Sequence, residues 1–207
     1  MSRTTPTPSP RRGGRPRSAA ADRAILDATR AALVELGWGG LTMSDVAARA
    51  GVAKTTLYRR WPGKNELVVE AVAALFEELT LPDLGSLEAD VRGVVLQFAG
   101  LLSRPEARTS LMAVVAEGAH DAALRARIRE AIVDRQKGLV LAGRARAYAR
   151  GELVPDADPV VAARNADLIF DVIAGTVVHR TLVSDEPVDE AWAASFAGLV
   201  AAGLRGA

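Results

Sequence analysis

The chain has 207 residues, of which 49% are apolar and only 4% aromatic, so it can bury a core of mainly small and aliphatic side chains. It contains no cysteine, which excludes disulfides and thiolate metal or redox sites, and its two histidines, His120 and His179, lack metal-ligand spacing. No apolar run is long enough to cross a membrane, and the N-terminus lacks a secretory-signal pattern. We therefore expect a cytoplasmic protein without metal or cofactor.

The net charge of +1 conceals an uneven distribution of charge along the chain. Residues 1–64 hold 12 basic and 4 acidic side chains, whereas residues 65–207 hold 14 basic and 21 acidic ones. A basic N-terminal third favours binding to a polyanion. A disordered basic tail on an ordinary globular protein would give the same composition, so charge alone leaves both interpretations open.

The N-terminal third divides into an arm and four predicted helices. Residues 1–18 are mostly Arg, Pro, Ser, Thr and Gly, which predicts a disordered basic arm. Apolar spacing then predicts a helix from Ala19 to a stop at Gly37. Thr42 is a candidate cap for the next helix, with Asp45 as the acidic partner of a capping box. The following helices are expected at about residues 43–50, 54–60 and 64–79.

The remainder of the chain is predicted to be a second, entirely helical unit. Leu81-Pro82-Asp83 is the expected domain boundary, and apolar spacing of helical period resumes after it. Further helices are expected at about residues 87–101, 111–118, 121–150, 160–183 and after Pro187. With no strand pattern anywhere, the sequence predicts an all-α fold of about nine helices, with a helix-turn-helix domain at 19–80 and a C-terminal helical bundle at 81–207.

Two short helices joined by a tight turn indicate a helix-turn-helix. The helices must cross closely, which requires a small side chain such as Ala47 at the contact, and Gly51 permits the backbone conformation of the turn. Leu57 would face the shared core. The outer face of the second helix would then enter a major groove.

The same segment resembles the TetR family of regulators. The resemblance is carried by Leu41-Thr42-Met43-Ser44-Asp45-Val46-Ala47, by Gly51-Val52-Ala53-Lys54-Thr55-Thr56-Leu57-Tyr58-Arg59-Arg60-Trp61 and by Lys64-Asn65-Glu66-Leu67. Two departures are mild, since Trp61 stands where Phe is usual and Gly63 where a capping Ser is common. The resemblance implies a homodimer, an effector pocket among the C-terminal helices, and repression that a ligand relieves.

The predicted DNA contacts lie on and around the second short helix. We expect Tyr58 to donate its hydroxyl to a phosphate, Thr55 to face the groove, and Lys64 to contact a phosphate as the resemblance implies. The full set is Thr42, Lys54, Thr55, Thr56, Tyr58, Arg59 and Lys64. As alternatives to DNA contact, Lys54 and Arg59 could be ordinary solvated charges and Thr42 could serve only as a cap. Trp61 is expected in the core.

The C-terminal half resembles the family more weakly, through Gly151-Glu152-Leu153-Val154-Pro155-Asp156 followed by two apolar helices. Its predicted effector pocket, for a mainly hydrophobic small molecule with hydrogen-bonding or cationic groups, is lined by Phe98, Leu102, Met112, Val115 and Phe170. Its predicted dimer interface is formed by Ile169, Ile173, Val177, Trp192 and Phe196. Either set could instead fill the solid core of a monomer.

These features together predict a ligand-responsive regulator of transcription, most simply a repressor that binds double-stranded operator DNA. An enzyme with a helix-turn-helix appendage is the rival from another class, but no catalytic motif is present. A ligand-independent architectural or activator protein of the same fold is a third possibility.

Overall fold

The computed structural model describes residues 19–156 and 158–206, and the predicted arm of residues 1–18 lies outside them. Within the described residues the backbone forms nine helices and no strand, which confirms the predicted all-α fold. In the same part of the chain, none of the helices combines the length and the apolar character needed to span a bilayer.

Most helix bounds lie close to the predicted ones, but the helix expected at about residues 111–118 begins at Pro105. The first six helices are α1 (Ala19–Gly40), α2 (Met43–Arg49), α3 (Lys54–Tyr58), α4 (Lys64–Phe76), α5 (Leu87–Leu102) and α6 (Pro105–Gly118). The seventh, α7, joins Ala122–Ile128 and Asp134–Ala149 through a π-helical turn at Arg129–Val133. The last two are α8, which consists of Pro159–Val178 and a terminal π-helical turn at His179–Val183, and α9 (Glu190–Gly206).

Side-chain caps start two of the helices where the sequence predicts them. The Thr42 Oγ1 accepts the Asp45 N–H, and the Thr42 N–H donates to the Asp45 carboxylate, both at 3.2 Å. This is the predicted capping box. The Asp158 carboxylate accepts the Val160 N–H at 2.8 Å, and Pro159 occupies the first helical position.

Gly37 behaves differently from the prediction that it ends α1. It adopts φ +66° and kinks the helix, and residues 38–40 continue in helical form beyond it. The Leu41 N–H donates to the Gly37 carbonyl at 3.2 Å. Since glycine tolerates positive φ without a steric penalty, the chain turns here without losing its hydrogen bonds. The kink brings Trp38 towards the start of α4.

The N-terminal helices pack directly on the C-terminal ones. Helix α1 contacts α4 and α6, and α4 also contacts α6 and the π-helical turn of α7. On the other side of the molecule α5 packs mainly on α9 and also on α8, while α7 packs on α8. Helix α4 therefore connects the helix-turn-helix to the bundle both through the chain and through its contacts.

Candidate nucleic-acid interface and ligand cavity

The turn between α2 and α3 depends on Gly51. Its φ of +64° lies in the left-handed region, where any other residue would be strained. The Gly51 N–H donates to Ala48 O at 3.2 Å, and the Val52 N–H donates to Ala47 O at 3.0 Å. Ala47 itself is buried at the crossing of the helices. These contacts fix the angle at which α3 leaves the turn.

Helix α3 buries one side chain and presents the others to solvent. Leu57 is fully buried, whereas its neighbour Tyr58 is 53% exposed and Thr56 is half-buried. The exposed set also contains the predicted contact residues Lys54, Thr55 and Arg59. Among the 18 ion pairs of the described residues, none involves Lys54 or Arg59, so both cations can meet phosphates.

Two aromatic residues organise the surroundings of the motif. Trp61 is buried, as predicted, and its Nε1–H donates to the Glu70 carboxylate at 2.6 Å. The Lys64 Nζ donates to the Trp38 carbonyl at 2.9 Å and lies 5.0 Å from the centroid of the Trp38 ring. A phosphate contact by Lys64 would therefore compete with Trp38. The sequence did not reveal this pairing because it depends on the kink at Gly37.

The C-terminal bundle contains a partly open cavity of about 110 Å³ between the end of α4 and helices α5, α7, α8 and α9. Its walls are almost entirely apolar. The rings of Phe76 and Phe98 meet there with centroids 5.8 Å apart, and Phe170 and Ile132 line other walls. A space of this size can hold an apolar group of roughly the size of a benzene ring when the walls relax slightly.

The structure places two of the five predicted pocket residues at this cavity and the other three elsewhere. Phe98 and Phe170 line the cavity, whereas Leu102 is buried in the core away from it. Met112 and Val115 are 46% and 53% exposed on the outer face of α6. Helix α6 turns its apolar side towards α1 and α4 rather than towards the cavity, and the sequence pattern of α6 alone does not distinguish these partners.

Three residues with polar side chains contribute to the cavity wall, almost entirely through their carbon atoms, and none of them was predicted from the sequence. They are Asp90 on α5 and Gln136 and Arg144 on α7. Asp90 accepts the Leu84 N–H at 2.7 Å and an Arg150 N–H at 2.9 Å. Burial acts to raise the pKa of Asp90, but these hydrogen bonds and the arginine charges outweigh it and hold that pKa below its ordinary value.

The charge of Arg144 is also balanced by neighbouring side chains. Its buried guanidinium is paired with the Asp156 carboxylate and hydrogen-bonded to the Tyr148 hydroxyl. The same carboxylate accepts the Tyr148 O–H at 3.0 Å and the Asn165 side-chain amide at 2.8 Å. Both charged groups at the cavity wall are thus already satisfied within the protomer.

The predicted dimer residues mostly face the inside of the protomer. Ile169 and Ile173 line the cavity, and Val177 is fully buried. Trp192 stacks on the buried Phe196 with ring centroids 5.1 Å apart. Within the single protomer these positions therefore pack mainly inwards, and their part in a dimer interface stays a prediction.

The outward faces of α8 and α9 carry a different apolar set. Leu168, Val172 and Leu199 are exposed, the last by 72% of its surface. They line an open groove of about 930 Å³ that runs beside the two helices. On α8 the exposed residues Leu168 and Val172 each precede a predicted interface residue by one position, because that helix is apolar on more than one face.

Comparisons with known proteins agree with this geometry. The family described as bacterial regulatory proteins of the tetR family matches residues 25–71, and the family described as a tetracyclin repressor-like C-terminal domain matches residues 81–200. An uncharacterised HTH-type transcriptional regulator of Mycobacterium tuberculosis is 30% identical over 79% of this chain and 77% of its own length.

Two further relatives extend the match. The DNA-binding transcriptional repressor TetR of Mycobacteroides abscessus is 31% identical over 82% of this chain and 85% of its own length. A crystal structure of a TetR family transcription regulator superposes with a TM-score of 0.69 at 28% identity, covering 88% of this chain and 97% of the other. With both halves matched and the helix-turn-helix in place, the chain belongs to the TetR family of helix-turn-helix transcriptional regulators.

Proposed function

We propose that this regulator is a repressor that binds a palindromic operator as a homodimer and is released from it by a small molecule. In this proposal residues 19–80 form the DNA-binding head and residues 81–207 the ligand-binding and dimerisation body, acting on DNA in the cytoplasm. The exposed face of α3 carries the proposal. It offers two cations and two hydroxyl groups on a helix that fits a major groove.

The groove beside α8 and α9 supports the homodimer. Exposed leucine and valine side chains in one continuous groove are costly in water and are covered when a second copy packs there. A two-fold axis through this face would present two copies of α3 to one duplex. Symmetric heads require an operator with inverted half-sites.

The cavity supports release by a ligand because Phe76 belongs to both the cavity wall and the last turn of α4. A molecule that enters the cavity can favour one position of that helix over another. Only a difference in affinity between the two positions can shift the equilibrium between DNA-bound and free protein.

Selection of duplexes from a random library tests the operator part of the proposal. The full-length protein should enrich an inverted repeat whose half-sites are separated by about one helical turn or a multiple of it. Enrichment of a single, asymmetric half-site would contradict binding as a symmetric dimer. No enrichment over a library passed through protein-free resin would contradict sequence-specific binding.

Two substitutions on α3 should separate positioning contacts from sequence-reading contacts. Tyr58→Phe removes a hydroxyl expected to bind a phosphate, so affinity should fall about tenfold or less, and equally, for the selected duplex and a scrambled one. Thr55→Ala should instead change the ratio of the two affinities. Fluorescence anisotropy titrations measure both, and an unchanged melting temperature shows that each variant is folded. Parent-like binding by Tyr58→Phe would exclude the phosphate contact.

Filling the cavity should abolish binding of apolar compounds. Phe98→Trp places a larger ring where the parent has space, so the rise in melting temperature that ethylbenzene gives the parent should disappear. Met112→Trp makes a comparable enlargement on the exposed face of α6 and should leave the rise intact. If Phe98→Trp responds like the parent, apolar compounds bind elsewhere.

A further inference from the structure

The charged residues of the cavity wall restrict the ligand class. A cationic ligand would find Asp90 already bound by Arg150 and the Leu84 N–H, and an anionic one would find Arg144 already paired with Asp156. A charged group without a partner is strongly disfavoured in an apolar cavity. The walls therefore favour a neutral molecule.

Gln136 differs from the two charged residues because it is neutral and because the backbone carbonyl that it binds has a second donor. Its Nε2 donates to the Phe76 carbonyl at 3.0 Å. The Leu79 N–H donates to the same carbonyl at 3.1 Å, so the carbonyl stays satisfied when the glutamine turns away. The Gln136 Oε1 accepts no hydrogen bond from the described residues.

We infer that Gln136 is the specificity-determining residue of this cavity and that it selects a neutral, otherwise apolar effector with one hydrogen-bond donor. The donor of the ligand binds the Gln136 Oε1, and the amide then turns from the Phe76 carbonyl towards the ligand. This inference rests on the proposed effector cavity, and it adds the ligand class and the residue that recognises it.

The position of Gln136 links this recognition to α4. Gln136 and its neighbour Arg135 both hold the end of that helix, since Arg135 is ion-paired with Glu77. They lie just after the π-helical turn of α7, which itself contacts α4. Movement of the Gln136 amide therefore changes the contacts of the last turn of α4 directly.

Three compounds that share a benzyl group and have similar volumes test the inference on the full-length protein. They are ethylbenzene, benzyl alcohol and benzylammonium, which differ in a methyl, hydroxyl or ammonium group. Calorimetric titration should rank benzyl alcohol at least as tight as ethylbenzene for the parent, despite its stronger hydration, and should detect no binding of benzylammonium. In Gln136→Met the ratio of alcohol to ethylbenzene affinity should fall about tenfold.

Gln97→Met is the matched control. Gln97 also bonds the backbone just after α4, through the Thr80 N–H at 3.1 Å, but it does not line the cavity. This variant should keep the parent ratio. In the parent, benzyl alcohol should also shift the NMR signal of the Leu79 amide more than ethylbenzene does, because that amide shares its acceptor with Gln136.

The outcomes distinguish the inference from the function on which it rests. Binding of ethylbenzene with an unchanged alcohol ratio in Gln136→Met would overturn the role of Gln136 and leave the effector cavity standing. Binding of benzylammonium as tight as that of the alcohol would overturn the neutral ligand class. Failure of all three compounds to bind the parent would overturn the cavity as an effector site, and the inference with it.

Discussion

Asp90→Ala is expected to lower the free energy of unfolding by about 3 kcal/mol, the lower end of the range for removing one partner from a buried ion pair. Asp90 is 2% exposed and joins three parts of the chain. It accepts the Leu84 N–H before α5 and pairs with Arg146 and Arg150 near the end of α7. Its loss leaves those donors without their shared acceptor.

Asp83→Ala provides the control for this variant. The Asp83 side chain is 65% exposed and pairs with the same two arginines, at 3.7 Å to Arg146 and 3.0 Å to Arg150. Its removal should cost below about 1 kcal/mol, because exposed pairs are screened by water. Denaturant unfolding followed by circular dichroism measures both variants. Equal losses would show that burial of Asp90 does not set its contribution.

The stabilising effect of Asp90 should also depend on pH. Its pKa is lowered in the folded protein, so its contribution is present above the ordinary carboxyl pKa and is lost as the pH falls through the lower folded value. The difference in unfolding free energy between parent and Asp90→Ala should therefore shrink below about pH 4. A difference that grows on acidification would contradict this assignment.

The double variant Leu168→Asp, Leu199→Asp should convert the proposed dimer into a folded monomer. Two carboxylates per protomer in an apolar interface would each lose hydration without gaining a partner. Because the second head then no longer binds the same duplex, affinity for the inverted repeat should fall about a hundredfold or more. Light scattering gives the mass, and anisotropy titration gives the affinity.

Val115→Asp is the matched control for the dimer variant. Val115 is also apolar and exposed, but it lies on α6, away from the groove. It should leave the mass and the operator affinity unchanged. A parent that scatters as a monomer at micromolar concentration would contradict the dimer, as would a double variant that keeps both its mass and its affinity.

The local features of the head were predictable because they depend on neighbours in sequence. The cap at Thr42, the turn at Gly51 and the alternation of buried Leu57 with exposed Tyr58 need no knowledge of distant contacts. The exposed apolar face of α8 was not predicted, because the apolar faces of that helix overlap and the pattern selected Ile169 rather than its exposed neighbour Leu168. Which face of a doubly apolar helix points inward is decided by its tertiary partners.

The polar residues of the cavity wall were not predicted, for a related reason. Helix α7 has no marked apolar face around Gln136, so its sequence gives no sign of which residues meet the cavity. The π-helical turn at Arg129–Val133 makes the orientation still harder to predict, because one wider turn rotates every later residue relative to its position in a regular helix. Gln136 and Arg144 both follow that turn.

Helix α4 is covered on most of its circumference, with eight of its thirteen residues buried between α1, α6 and α7. Because α4 is buried in this way, its packing limits the exchange of whole DNA-binding domains between this regulator and its relatives. In a chimera that joins this DNA-binding domain to the C-terminal domain of a relative, buried side chains such as Val69 and Phe76 would become exposed or would clash with the new partner. New operator preferences in this lineage should therefore arise through substitutions on the outer face of α3, which are free of such constraints, rather than through exchange of whole heads.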